Sequence, residues 1–251
     1  MSARLSSYLA FILILLLPLL AHAQHATLTV AAAADLSSLE PELQQQFEKT
    51  NPFRLNWITG ASAILSQQIE NGAPYDLLLS ANAAFVDRLS SFGKIDPGSA
   101  TVYAVGRLGI LWRDGKTHPI SDLAAEWVRI VALPNPRLAP YGWAAQDALE
   151  HARLWEFVSQ KVVYGENVRQ TLQLFESGNA DAVLTAESLL LGKNAALIPQ
   201  DWHQPVLQKA GIVAATRNLE AARAFLRFLI SKDGQAVFAK YGFGPAMQPR
   251  P

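Results

Sequence analysis

Apolar residues along this chain alternate between two spacings. In "ITGASAILSQQIENGAPYDLLLSAN", residues 58–82, Ala61, Ile64, Leu65 and Ile69 keep the three-and-four spacing of a helix, and Leu77-Leu78-Leu79 reads as a buried strand. Gly72 and Pro74 separate the two. Upstream, Leu28 to Ala34 predicts a strand, and Leu39, Leu43 and Phe47 line one face of a helix. Phe53, Leu55 and Trp57 alternate as a half-buried strand. Phe85, Val86, Leu89 and Phe92 mark a further helix, which Gly93 ends as the expected left-handed residue.

Beyond Tyr103 the pattern restarts. Leu108 to Trp112, Arg129 to Leu133, Val162 to Tyr164 and Ala182 to Ala186 predict strands. Gly142 to His151 predicts a helix, as does the segment from Asn167 to Gly178. Val206 to Ala214 then precedes two amphipathic helices, with Ala224, Phe225, Phe228 and Leu229 on the first and Val237 and Phe238 on the second. Strands and helices in alternation predict an α/β protein with mainly parallel sheets flanked by helices. The pattern alone does not say which part of the fold the last two helices join.

The first residues change the picture of where the protein works. Arg4, an apolar core from Leu9 to Leu20 and the small-x-small Ala21-His22-Ala23 form a cleavable secretory signal, residues 1–23, so the mature chain begins at Gln24. The core is short for a membrane span and Pro18 interrupts it. There is no cysteine among the 251 residues, which excludes disulfides and a lipid-modified N-terminal Cys. These features predict a free periplasmic protein. Basic and acidic residues number 21 each, with no basic run, which argues against nucleic acid or an anionic membrane as partner. The tail from Pro245 is expected to fray.

Catalytic patterns fail on inspection. Gly60-Ala61-Ser62-Ala63-Ile64 lacks the second glycine of a nucleophile elbow. His25, His118, His151 and His203 are scattered, with no zinc spacing, and His118 and His203 read as surface loop residues. No phosphate loop or dinucleotide fingerprint is present. What remains is a set of small-residue turns leading from strands into helices: Ala31-Ala32-Ala33-Ala34-Asp35, Gly60-Ala61-Ser62, Ala139-Pro140-Tyr141-Gly142 and Glu166-Asn167-Val168. Each frees first-turn N–H groups, and in open α/β sheets such turns collect where ligands bind. Ser62 lies at or next to a helix N-cap, where its hydroxyl can cap the helix or face an anion held by free N–H groups.

The segments "VAAAADL", "TGASAILSQQIENGAPYDLLLSAN", "NPRLAPYGWAAQDAL", "VVYGENVRQTLQLFESGNADAV" and "FAKYGF" give the chain a resemblance to periplasmic molybdate-binding proteins of ABC importers, across almost the whole mature length. The resemblance implies a type II periplasmic binding fold with two lobes: residues 24–104 and 209–251 in lobe one, 105–208 in lobe two. It implies a monomeric carrier and not an enzyme, without cofactor, that takes molybdate or tungstate and delivers it to an ABC permease in the inner membrane. Sulfate, chromate, hydrogen phosphate and hydrogen arsenate remain as alternative oxyanions.

The family holds its dianion through neutral hydroxyls and backbone N–H groups, with no direct metal ligand. Carried onto this chain, Ser62 supplies a hydroxyl, Tyr141 a hydroxyl or backbone contact, and Val168 a backbone N–H, with Asn167 and Thr185 as further candidates. The first turn departs from the family pattern: Ala33, Ala34 and Asp35 stand where relatives place Ser, Thr or Asn. A carboxylate about 4 Å from a dianion is opposed by roughly 8 kcal/mol at an effective dielectric near 20. Asp35 is therefore expected to turn back and cap its own helix through the N–H of Ser37 or Ser38, leaving backbone around Ala33 and Ala34 to face the anion.

Overall fold

The computed structural model describes residues 26–246. The predicted leader, Gln24, His25 and the last five residues of the tail lie outside them. The described chain folds around two sheets. The first has the order β11-β4-β10-β3-β1-β2, built from β1 (Thr27–Ala33), β2 (Arg54–Gly60), β3 (Leu77–Ser80), β4 (Thr101–Gly106), β10 (Val206–Ile212) and β11 (Gly244–Pro245). The second has the order β7-β6-β8-β5-β9, from β5 (Leu108–Trp112), β6 (Val131–Pro134), β7 (Val162–Gly165), β8 (Ala182–Ala186) and β9 (Ala196–Leu197).

Both sheets are mixed. β1 runs parallel to β2 and β3, and β6 parallel to β7 and β8, as the βαβ pattern predicts. The strands next to the crossings between sheets run the other way: β4 and β10 are antiparallel to one another, and β5 is antiparallel to β8. A single residue, Arg107, separates β4 from β5. The sequence pattern does not single out β4 as a strand because its apolar residues do not alternate cleanly with polar ones.

Helices α1 (Glu40–Thr50), α2 (Ser62–Glu70) and α3 (Ala83–Ser91) join the early strands. Helices α4 (Pro140–His151), α5 (Trp155–Val158) and α6 (Val168–Glu176) belong to the second sheet's run of chain. The closing helices α7 (Leu219–Leu229) and α8 (Lys232–Lys240) pack on the first sheet: Phe225, Phe228, Leu229, Val237 and Phe238 share one core with Leu28, Val30, Leu43, Phe47 and Leu77. Phe47 meets the Phe225 ring edge-on at 4.9 Å. A separate core beneath the second sheet gathers Leu108, Trp112, Leu133, Ala145, Leu149 and Leu184.

Gly93 and Gly178 end α3 and α6 with φ of 65° and 91°, as the pattern predicts. Other boundaries move by a residue or two. The first strand stops at Ala33 because Ala34–Leu36 forms a 3-10 turn. β6 starts at Val131 rather than Arg129, since the N–H groups of Arg129 and Ile130 donate to the Asp181 carboxylate instead of to a neighbouring strand. α4 starts at Pro140, whose missing N–H costs nothing at the first helical position.

Candidate functional site

Four turns at strand C-termini converge on one small cavity: Ala33, Ala34 and Asp35 after β1, Gly60, Ala61 and Ser62 after β2, Ala139, Pro140 and Tyr141 after β6, and Asn167 and Val168 after β7. The first two turns hang from one sheet and the last two from the other, so the cavity lies between the sheets. Among the described residues no Lys or Arg lines it, and Asp35 is the one carboxyl there. A larger concavity of about 740 Å³ lies at the opposite end of β1 and β3, bordered by Thr29, Asp76, Lys94 and Arg217. There Asp76 already accepts from Thr29 N–H, Thr216 and Asn218, so its polar groups serve the fold.

Ser62 is the first residue of α2, and Ala61 is the N-cap without a side-chain bond, so the capping role open to Ser62 is not taken. The Ser62 hydroxyl is 2 % exposed and accepts from Ala81 N–H at 3.1 Å, which leaves its own proton to donate. Of the first N–H groups of α2, that of Ala63 crosses to the Leu138 carbonyl at 3.2 Å. Asn167 caps α6 by accepting from the N–H groups of Arg169 and Gln170. Its side chain is thereby occupied, and Val168, buried at the first helical position, keeps an uncapped N–H. Thr185 is not at the cavity: its hydroxyl donates to the Val168 carbonyl at 3.0 Å, so it steadies the start of α6 from behind.

Asp35 does not cap its turn. The expected bond from Ser37 or Ser38 is absent, and the carboxyl instead faces across the molecule. Its Oδ2 accepts from the Tyr141 hydroxyl at 2.9 Å and from Gln208 Nε2 at 2.6 Å, while Tyr103 donates to Gln208 Oε1 at 3.1 Å. Asp35, Tyr141, Tyr103 and Gln208 are all buried. Burial pushes the Asp35 carboxyl from an ordinary 3.8 up to about 6, against the lowering effect of the Tyr141 and Gln208 bonds. Burial, with the Asp35 charge nearby, raises the Tyr141 phenol well above its ordinary value. The Tyr141 hydroxyl thus donates to Asp35 in this structure, and the backbone of its turn also borders the cavity.

Sequence reasoning missed Gln208, Tyr103 and Gly106. Gln208 had a signal: a lone amide in the middle of the apolar strand Val206–Ile212, where a buried polar group needs partners. Gly106 had none. A Cβ built on it would come 2.1 Å from the Tyr141 hydroxyl, so only a bare backbone lets Tyr141 reach Asp35. His203, expected on the surface, is buried and bonds the Gln204 carbonyl, whereas His118 packs on Trp112 and Trp127 between Asp114 and Asp122.

Two α/β units, closed through neutral donors on a cavity ringed by helix starts, define a two-lobed solute-binding protein. The family model for bacterial extracellular solute-binding proteins matches residues 28–244, and the chain belongs to that family. It is similar to the molybdate-binding protein ModA of Rhodobacter capsulatus, 30% identical over 85% of this chain and 86% of that one. ModA of Azotobacter vinelandii is 30% identical over 88% and 91%. The solved periplasmic molybdate-binding protein of Azotobacter vinelandii superimposes with a TM-score of 0.82 at 26% identity, covering 89% of this chain and 100% of that one.

Proposed function

We propose that the protein captures molybdate, and tungstate of the same shape, in the periplasm and delivers it as a monomer to an ABC permease in the inner membrane. The observation that carries the reading is the cavity itself. The Ser62 hydroxyl and the uncapped N–H groups at the starts of α2 and α6 offer donors without any fixed cation. Helix starts carry partial positive charge and free donors, which suits an anion. The similarity to ModA proteins supports molybdate among the anions of that shape.

In this reading residues 24–104 and 209–251 form one lobe and 105–208 the other; the two sheets support the division into two lobes, with β4 and β10 of the first sheet running on to Gly106 and back from Val206. Residues 1–23 are removed as a signal on export. Ser62, Val168, Tyr141 and the backbone around Ala33 and Ala34 hold the anion's oxygens, Tyr141 through its backbone. We read the protein as a carrier and not a catalyst, without cofactor, a reading that its membership of a solute-binding family supports.

Thermal unfolding with and without anion tests the assignment. Molybdate at about 100 times its dissociation constant adds roughly 2.7 kcal/mol, a rise in Tm of roughly 5–10 °C for a chain of this size. Sulfate at the same concentration does much less, since its shorter bonds leave donors around a larger cavity unpaired. Equal shifts for the two anions would overturn the choice of molybdate.

A further inference from the structure

Asp35 is 1 % exposed and borders the cavity, and its two oxygens are treated differently. Oδ2 accepts from both Tyr141 and Gln208. Among the described residues Oδ1, also buried, has no hydrogen-bond partner. An ionised carboxylate leaves that oxygen bare beside the place where a dianion binds, and like charges at such a distance repel strongly. A protonated carboxyl has the opposite character: Oδ2 still accepts its two bonds, and Oδ1 becomes an O–H donor.

We propose that Asp35 meets the bound oxyanion as a neutral carboxylic acid, donating from Oδ1 to an anion oxygen, so that each anion captured by the ionised protein takes up one proton from solvent. The inference rests on the reading of this cavity as an oxyanion site and adds a proton to its ligand set. Asp35 then does the work of a neutral hydroxyl or amide donor, with the difference that its donor exists only when the proton is on.

The bonds from Tyr141, Gln208 and the Asp35 backbone N–H favour the ionised form, and burial outweighs them. Tyr141 on α4 and Tyr103 on β4 are neutral, and Gln208 on β10 cannot titrate. Glu40 on α1 adds a like charge that raises the Asp35 carboxyl further. On the packed turn Glu187–Leu189, Ser188 donates to the Asp35 backbone carbonyl, and Glu187 lies 3.8 Å from Arg107. Arg169 on α6 reaches the Ser37 hydroxyl at 3.5 Å and acts on Glu40. Among the described residues Asp35 forms no ion pair, so no cation holds it ionised. Burial already lifts it to about 6, and a dianion alongside lifts it further.

The test is calorimetric titration of the full mature chain with sodium molybdate at pH 7.5 in buffers of different ionisation enthalpy, repeated from pH 5 to 8.5. Wild type should absorb close to one proton per anion at pH 7.5. Uptake should shrink below pH 6, where the acid is already protonated, and the dissociation constant should rise about tenfold per pH unit above pH 7. Asp35→Asn places an amide donor where the acid carries its proton and keeps an acceptor for Tyr141 and Gln208. It should lose both the uptake and the slope, and bind more tightly than wild type at pH 8.

Wild type that binds molybdate with no proton uptake and a flat pH profile overturns the inference while leaving the oxyanion site standing. So does a folded Asp35→Asn that loses phosphate binding held by wild type, which would make the carboxylate an acceptor for a protonated anion. If molybdate, sulfate and phosphate all give no heat with either protein, the oxyanion reading itself falls and takes the proton with it. The wild-type uptake measurement stands without the variant, so misfolding of Asp35→Asn does not protect the idea.

Discussion

The backbone N–H of Ala63 donates to the carbonyl of Leu138 at 3.2 Å, joining the first turn of one sheet's helix to the loop before the other sheet's helix. Ser38 to the Ser188 carbonyl and Ser188 to the Asp35 carbonyl add two more bonds between the same halves. These bonds exist only when the halves are together. Adding molybdate should therefore slow hydrogen exchange at the Ala63 amide, while amides at the far end of α2 change little. Equal exchange at Ala63 with and without anion would contradict closure on the ligand.

Ser62→Ala removes one donor to the anion and should weaken molybdate by about 1.5–3 kcal/mol, the scale of a hydrogen bond to a charged group. It also orphans the buried Ala81 N–H, so the anion-free protein should lose about 1–3 kcal/mol of stability. Urea unfolding and calorimetry separate the two effects. Unchanged affinity beside lowered stability would make Ser62 purely structural.

Tyr141→Phe takes away one of the two side-chain donors that favour the charged form of Asp35. The Asp35 carboxyl should then titrate above about 6, because losing a bond to the ionised state leaves burial less opposed. Carboxyl-carbon NMR across pH 4 to 9 reads the change directly. A downward move would mean that the Tyr141 hydroxyl does not serve Asp35.

Stability without anion should fall as pH rises. The raised carboxyl keeps its proton in the folded state between 3.8 and about 6, whereas the unfolded chain has released it. The contribution is therefore complete below 3.8 and lost as pH climbs through about 6, a change of about 3 kcal/mol. Asp35→Asn cannot titrate there, so its advantage over wild type in urea unfolding should grow by about that amount from pH 4 to 7. A constant difference over the range would show that Asp35 is not buried when it ionises.

Alternation of spacings was enough to read the α/β class, and the small-residue turns were enough to find where the cavity forms. Ser62 and Val168 come to that cavity as read, because a helix start's position follows from local pattern. Thr185 and Asp35 were harder. Their bonds are made to atoms more than a dozen residues away: Val168 for Thr185, Tyr141 and Gln208 for Asp35. Local capping rules weigh only near neighbours, and at Asp35 the distant pair won because burial leaves a carboxylate no water to fall back on. β4 escaped notice for a different reason: its residues Thr101–Gly106 do not alternate cleanly between apolar and polar.

Gly106 turns this closure into something that one methyl group can veto. It lies at the end of β4, one residue before the chain passes to the second sheet, and the Tyr141 hydroxyl fills the space its side chain would take. In an alanine variant the new carbon would act as a doorstop: each half would keep its own core, and the halves could not swing fully shut. Such a protein would still meet the anion with the half that carries Ser62 but could not enclose it, turning a trap into a dish. Its solution scattering should stay at the ligand-free radius however much molybdate is added.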